Sequence, residues 1–164
     1  MQVNRFRMSP IVSGLFSAFD PDTFMSGQSQ GSMATRLEQC DPGEYTAVIE
    51  KLEAEQFEGK KDSTKTFTKL AVFWNIDSPD VKAKLGMDKV LVKQDLFIDL
   101  TPEGGLDCGK NKNVGLGKLR EAVNQNGPGG WSPTMLVGQV AKVKVEHEIN
   151  NGEAYARVKG VTRL

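Results

Sequence analysis

Lysine, arginine and tyrosine alternate with small apolar residues along the C-terminal part of the chain. Residues 140–149 and 153–159 form two alternating runs on either side of Asn150-Asn151-Gly152, and such runs joined by Asn-Gly predict a β-hairpin. Because side chains alternate between the faces of a strand, one face would carry alanine and valine and pack on a core. The opposite face carries Lys142, Lys144, Glu146, Tyr155, Arg157 and Lys159. Cations beside a ring suit a nucleic-acid strand, whose phosphates need positive charge and whose bases stack on aromatic side chains.

The same combination of rings and lysines recurs on two earlier predicted strands. In Thr66–Ile76, every second residue from Leu70 onward is large and apolar, which predicts an inward face. Phe67, Lys69 and Phe73 then lie on the opposite face. In 89–100, Lys93 and Phe97 lie opposite an inward set of valine, leucine and isoleucine. Large aromatic side chains on an outer face are typical of an interaction surface.

A cationic loop precedes the first of these strands. Residues 44–57 predict a long strand whose inward phase switches near Lys51, which indicates a β-bulge. The polar segment 58–65 that follows contains Gly59 and the three lysines Lys60, Lys61 and Lys65. We expect it to form the hairpin loop to the second strand and to contribute to phosphate binding. The alternative for the cations of the C-terminal hairpin is an ordinary solvated strand face, where lysine and arginine are common. For the outer face of Thr66–Ile76, the alternative is that both faces are covered, as in the wall of a small barrel under a helix.

Two helices complete the predicted elements. Ser78 and Pro79 are a cap and first residue for a short helix at Pro79–Leu85. Leucine, alanine and valine recur at helical spacing over 114–125, which predicts a helix there. Trp131 follows two glycines and could either seal the core or stack on a ligand; burial is the commoner fate of an indole ring, so we expect it to seal the core.

The order of these elements predicts the architecture. Three strands, a helix and two strands form a mainly β (α+β) domain at 42–164, matching the five-stranded OB-like Greek-key barrel with one helix between strands 3 and 4. That fold binds oligonucleotides on the face of strands 2 and 3 and in the loops between strands 1 and 2 and between strands 4 and 5. Residues 1–41 form an N-terminal arm rich in Ser, Gln, Gly and Met, with one expected helix at 11–19.

Composition excludes several classes of protein. Lys plus Arg and Asp plus Glu both total 21, so the net charge is zero and a polybasic packaging protein is excluded. With two isolated cysteines, one histidine and no CxxC, we expect no metal and no cofactor. There is no run long enough to span a membrane and no signal-peptide pattern, so we expect a cytoplasmic location.

Catalysis has little support in the sequence. His147 lies between Glu146 and Glu148, but adjacent strand residues point to opposite faces and cannot form a base and its orienting partner. No Gly-x-Ser-x-Gly and no phosphate-binding loop ending in Gly-Lys-Ser/Thr occurs. We therefore expect a protein that is not an enzyme.

Three segments carry a family resemblance: GEYTAVI at 43–49, GLGKLREA at 115–122 and LVGQV at 136–140. Together they resemble phage-encoded single-stranded DNA-binding proteins of the OB-fold type. The resemblance implies sequence-tolerant binding of single-stranded DNA, with replication or recombination proteins as further partners.

Twelve residues are the candidates for nucleic-acid binding. They are Lys60, Lys61, Lys65, Phe67, Lys69, Phe73, Lys93, Phe97, Lys142, Lys144, Tyr155 and Arg157. The alternative function is a protein-interaction or virion structural module on the same barrel. In that alternative, the apolar residues of the N-terminal arm assemble a homo-oligomer.

Overall fold

A computed structural model of the protein describes residues 18–164, in which five strands close into a barrel. The strands are β1 (Gly43–Glu58), β2 (Thr66–Ile76), β3 (Leu91–Ile98), β4 (Val140–Asn150) and β5 (Glu153–Thr162). Around the barrel they follow the order β1-β2-β3-β5-β4, and β4 pairs again with β1. All neighbours are antiparallel except β3 and β5, which meet in one parallel pairing between Lys93 and Arg157. The predicted OB-like barrel is confirmed.

Three α-helices accompany the strands in the described residues: α1 (Pro21–Ser26), α2 (Pro79–Leu85) and α3 (Val114–Ala122). The predicted start of α2 is confirmed, since the backbone N–H of Val81 donates to the Ser78 hydroxyl at 3.3 Å. Helix α3 lies between β3 and β4 as predicted, but it ends before residue 125. Asn124 adopts a left-handed φ of +59°, which ends the helical path.

The barrel interior is filled by alternate residues of every strand. The predicted inward set on β2 is confirmed: Leu70, Val72, Trp74 and Ile76 are all buried. Trp74 has no exposed surface, and its indole Nε1 donates to Oε1 of the buried Gln94 at 2.9 Å. The sequence did not indicate Gln94 as a core residue, because its amide is polar. Its burial is tolerated because the tryptophan supplies a hydrogen-bond partner.

The β1 bulge was predicted near Lys51 and is found between Ile49 and Lys51. Before it, Ala47 and Ile49 are buried; beyond it, the phase of the strand is reversed, and Leu52 takes the inward position opposite Val72. Past that point β1 and β2 extend beyond the core, since Ala54 and Gln56 are exposed although they occupy inward positions.

The β4–β5 hairpin forms as predicted. Asn151 and Gly152 have φ values of +52° and +79°, as a tight two-residue turn between antiparallel strands requires. The valines of the predicted inner face are buried, whereas Ala154 is half-buried. The tip of the hairpin also projects from the barrel, since Ile149 is 68% exposed.

Three further predictions need correction. β3 spans Leu91–Ile98 and is shorter than the predicted 89–100. Ala71, assigned to the outer face, is buried, because the longer side chains around it cover its methyl group. Trp131 is half-buried rather than a sealed plug: its ring packs against the core on one side and lies 4.2 Å from the Arg120 guanidinium on the other.

Residues 18–37 belong to a unit separate from Glu38–Leu164. Helix α1 is capped by Asp20, which accepts from the backbone N–H of Thr23 at 3.2 Å. The rings of Phe19 and Phe24 lie 5.6 Å apart, and every side chain in this segment is exposed. The helix predicted at 11–19 lies outside the described residues except for Ala18 and Phe19, which are not helical.

Candidate nucleic-acid interface

Three phenylalanine rings form a cluster on the outside of the barrel. Phe57 of β1 lies 5.8 Å from Phe67 of β2 in a stacked arrangement and 6.3 Å from Phe97 of β3 edge-on, measured between ring centroids. Phe97 is 65% exposed, and the other two rings are about 40% exposed. We call Phe57, Phe67 and Phe97 the ring cluster. It offers flat apolar surface to solvent at one end of β2.

Strand register explains why the rings meet. Phe57 is paired with Phe67 directly across β1 and β2, and Phe97 is paired with Lys69, two residues along β2. The bulge after Ile49 places Phe57 on the outer face, where an unbroken alternation would place it inside. The cluster thus depends on the irregularity in β1.

Lysines on the same face are held by carboxylates. Lys69 Nζ lies 3.0 Å from Glu55 and 3.8 Å from Asp95, and Lys93 Nζ lies 3.5 Å from Asp95. The hydrogen bond to Glu55 raises the pKa of Lys69 above its usual value. Lys69 also lies 5.9 Å from the centroid of the Phe57 ring. Lys69 and Lys93 are therefore already paired with carboxylates.

The charges of this wall balance. We call the outer face of β1 from Lys51 onward, together with the outer faces of β2 and β3, the ring-bearing wall. Its lysines are Lys51, Lys69 and Lys93, and its carboxylates are Glu53, Glu55 and Asp95, so the three charges of each sign cancel. Phe73 lies in the same wall, half-buried, with Lys51 Nζ 4.6 Å from its ring centroid. It presents less ring surface than the cluster.

A groove of about 630 Å³ runs beside the ring-bearing wall where β3 and β5 diverge. Phe97 and Lys69 line one side, Arg157 and Lys159 line the other, and Lys118 of α3 contributes from the helix. Together with Phe57, Asp95 and Glu148, these groups place two rings, four cations and two carboxylates around one concave surface. Such a groove can hold a polynucleotide backbone against stacked bases.

Arg157 lines the β5 side of the groove, and Tyr155 lies beside it on the same strand without lining the groove. The Arg157 guanidinium lies 5.4 Å from the Tyr155 ring centroid, and Tyr155 is 37% exposed. Glu148, across from Tyr155 on β4, accepts a hydrogen bond from Lys159, which lowers the pKa of that carboxyl below its usual range. The cations of this side are thus also partly balanced.

The β1–β2 loop carries exposed lysines. Lys60, Lys61 and Lys65 are all exposed, and none makes an ion pair within residues 18–164. The loop is turned by Asp62, whose side chain accepts from the Thr64 backbone N–H at 3.0 Å and whose carbonyl accepts from Lys65 N–H at 3.1 Å. Its three ammonium groups follow directly on the ring cluster in sequence and are available to phosphates.

Lys142 and Lys144 do not line the groove but lie one strand away from it, across from Thr162 and Gly160 of its β5 side. Both are exposed on β4, which pairs with β1 and β5 and with neither β2 nor β3. Lys142 lies between Thr46 and Thr162, and Lys144 Nζ is 3.3 Å from Glu146. We call this outer face of β4 the β4 wall. The structure brings nine candidates to the ring-bearing wall, the β1–β2 loop and the adjacent groove, but not Tyr155, Lys142 or Lys144.

Sequence reasoning missed four groups that take part in this surface. They are Phe57, Glu55, Asp95 and Lys118. Counting outward positions from the predicted bulge would have placed Phe57 and Glu55 on the outer face. Asp95 was available from the alternation of β3, but Lys118 requires knowledge of how α3 packs on the barrel.

Comparisons with known proteins assign no family to this chain. No protein-family model matches the chain, and a search of curated proteins finds no match.

Within residues 18–164, no group of three or more His, Cys, Asp or Glu side chains is arranged to hold a metal ion. No helix in that range is long and apolar enough to cross a membrane.

Proposed function

We propose that this protein binds single-stranded DNA with little dependence on sequence and without catalysing a reaction. The observation that supports this proposal is the ring cluster, three exposed phenylalanines on adjacent strands of an OB-like barrel, beside a groove lined with cations. Stacked bases would lie on the rings, each ring worth about 1–3 kcal/mol. Phosphates would follow the β1–β2 loop and the groove.

The same geometry favours an unpaired strand over a duplex. In a duplex the faces of the bases are stacked on one another and cannot reach Phe57 or Phe97. Stacking on phenylalanine tolerates any base, because every base has a π-face. The proposal therefore separates two contributions, a charge contribution open to any polyanion and a stacking contribution open only to unpaired bases.

For the biological setting we propose phage-type replication or recombination. The segments at 43–49, 115–122 and 136–140, which resemble phage-encoded single-stranded DNA-binding proteins, support this setting. Proteins of the same processes are the corresponding partners.

Titration of a fluorescently labelled oligonucleotide tests the proposal. We expect the anisotropy of single-stranded DNA to rise on addition of the protein at low salt, and the affinity to fall steeply as salt increases. Unlabelled duplex should compete poorly and unlabelled single strand should compete well, with single-stranded RNA as a further competitor. A label on the DNA is preferable to intrinsic fluorescence, because Trp74 is fully buried and Trp131 is held under Arg120. Absence of binding at low salt would refute the proposal.

Residues 18–37 favour a second candidate, a structural module assembled through the N-terminal arm. Phe19, Phe24, Met25, Met33 and Leu37 are each at least 66% exposed, and the Phe19 and Phe24 rings contact each other, so a second copy of the chain could cover them. Light scattering of the full chain and of a variant beginning at Glu38 tests it. Loss of assembly with retained DNA binding would assign the arm to oligomerisation, whereas assembly of a full chain that does not bind DNA would favour the structural module.

A further inference from the structure

Two carboxylates occupy the position that a bound phosphate would need. Glu55 and Asp95 both contact the ammonium group of Lys69, at 3.0 Å and 3.8 Å, and Asp95 also contacts Lys93 at 3.5 Å. Lys69 is the least exposed lysine of these pairs, with 18% of its side chain accessible, whereas the Glu55 side chain is 60% exposed. Lys69 lies beside the ring cluster and Lys93 lies across from Phe73, and both are already ion-paired before any ligand binds.

Backbone register builds this arrangement into the sheet. Glu55 lies directly across from Lys69. Asp95 lies directly across from Ala71, and Lys69 and Phe73 are the outward residues on either side of Ala71 along β2. Because the Ala71 side chain is a single methyl group, the Asp95 carboxylate has room to reach lysines on both β2 and β3. A larger residue at this position would separate them.

The β1–β2 loop provides a contrast within the same molecule. Lys60 and Lys61 are exposed and make no ion pair in the part of the chain that the structure describes. A phosphate reaching these lysines displaces no carboxylate. A phosphate reaching Lys69 or Lys93 must take the place of Glu55 or Asp95.

We infer that Glu55 and Asp95 compete with the phosphates of a bound strand for Lys69 and Lys93, so that binding at the ring-bearing wall proceeds by exchange of ion pairs and is weaker than its cations alone would make it. This inference rests on the proposed function, single-stranded DNA binding. Stacking on the rings then supplies the attraction for DNA at this wall, and competition from the carboxylates keeps the dissociation of the bound DNA fast.

Salt dependence distinguishes exchange from simple neutralisation. When a free lysine neutralises a phosphate, the DNA releases a condensed cation, and affinity falls with salt by about 0.7 log units per log unit for each contact with a single strand. When the lysine first leaves a carboxylate, that carboxylate takes up a cation from solution, and the two effects offset each other. Lys69 and Lys93 therefore add little to the salt dependence of the wild-type protein.

Glu55→Gln combined with Asp95→Asn tests the inference in the full-length protein. We expect the affinity for a labelled single strand at low salt to rise by about tenfold, and the slope of log affinity against log salt to steepen by about 1.4, twice the value for one contact. The dissociation rate, measured by adding excess unlabelled strand, should fall.

Glu44→Gln combined with Asp88→Asn is the matched control. It removes the same two charges from exposed positions on the β4 side of β1 and on the connection between α2 and β3. We expect its affinity for DNA to rise by less than about twofold, because only the screened long-range potential of the protein changes.

The outcomes separate the proposed function from the inference on Glu55 and Asp95. If the wild-type protein does not bind single-stranded DNA at low salt, the proposed function is wrong. If it binds but the Glu55/Asp95 variant binds equally or more weakly, the carboxylates position the lysines instead of competing for them, and the inference is overturned. An equal rise in both variants would also overturn it, because net charge alone would then explain the effect.

Discussion

The ring-bearing wall and the β4 wall of the same barrel are built from different combinations of residues. The ring-bearing wall has three exposed phenylalanines and lysines that are bridged to Glu55 and Asp95. The β4 wall has Lys142, which makes no ion pair among residues 18–164, and Lys144, which contacts Glu146, but its strand carries no aromatic residue. The outer face of β4 also has two lysines, Lys142 and Lys144, against two glutamates, Glu146 and Glu148, so net charge does not separate the walls, whereas stacking surface favours the ring-bearing wall.

A count of lysines therefore does not single out one wall as the candidate interface. On a protein with zero net charge, a polyanion finds weak positive patches on several sides. An unpaired strand gains more from a wall where bases can stack, because each stacked base adds about 1–3 kcal/mol that salt screens little. Substitutions in one wall at a time test this comparison.

The largest effect should come from removing two rings of the cluster. We expect Phe57→Ala combined with Phe97→Ala to lower the affinity for single-stranded DNA by about 30-fold or more, since two lost stacking contacts cost about 2–6 kcal/mol. Salt dependence should hardly change, because no charge is lost. Anisotropy titrations at two salt concentrations measure both quantities.

Val137→Ala combined with Val140→Ala is the control for the ring variant. Both valines are exposed, one in β4 and one just before it, and their truncation removes apolar surface without touching the ring-bearing wall. Circular dichroism should show folded protein in both cases. If the control lost as much affinity as the ring variant, the comparison of walls would fail.

A smaller effect is expected from the loop that adjoins the rings. Lys60→Ala combined with Lys61→Ala should weaken binding by about tenfold at low salt and reduce the salt slope by about 1.4. Lys82→Ala combined with Lys84→Ala removes two charges from α2, at the opposite end of β2, and should leave the slope unchanged. Equal slopes for the two variants would mean that the backbone does not follow this loop.

The sequence predicted the barrel because its signals are local and agree with one another. The Asn151-Gly152 turn, the cap at Ser78 and the alternation of β2 each depend on a few neighbouring residues, and each was found as predicted. Their order along the chain then permitted few topologies. Local patterns thus gave the fold more fully than they gave the interface.

The interface was predicted less completely, because it depends on pairing between distant strands. Phe57 joined the cluster only through the bulge in β1, and Lys69 was counted as a free cation although Glu55 lies across from it. Lys142 and Lys144 were grouped with Tyr155 and Arg157 from a single hairpin, but closure of the barrel separates them from β2 and β3. Alternation assigns a side chain to a face and does not say which strand lies beside it.

A third prediction concerns the core beneath the ring-bearing wall. Gln94→Met keeps the side-chain volume but leaves the Trp74 indole N–H without its partner, so the free energy of unfolding should fall by about 1–3 kcal/mol in urea denaturation. Gln56→Met, at an exposed position of β1, should change it little. DNA affinity of the folded Gln94 variant should stay near the wild-type value if the rings above, and not the core below, make the contacts. A large loss of affinity with unchanged stability would assign Gln94 to the site.

The smallest effect should come from the β4 wall itself. Lys142→Ala combined with Lys144→Ala removes two charges, as many as the loop variant removes, but from a strand that pairs with neither β2 nor β3. We expect the affinity to fall by less than about twofold and the salt slope to stay unchanged, because no phosphate is neutralised there and only the long-range potential changes. Titration beside the Lys60/Lys61 variant in the same buffers gives the comparison directly. If the two variants lost equal affinity and equal slope, the bound DNA would contact both the β1–β2 loop and the β4 wall. Stacking would then no longer explain why DNA prefers the ring-bearing side of the barrel.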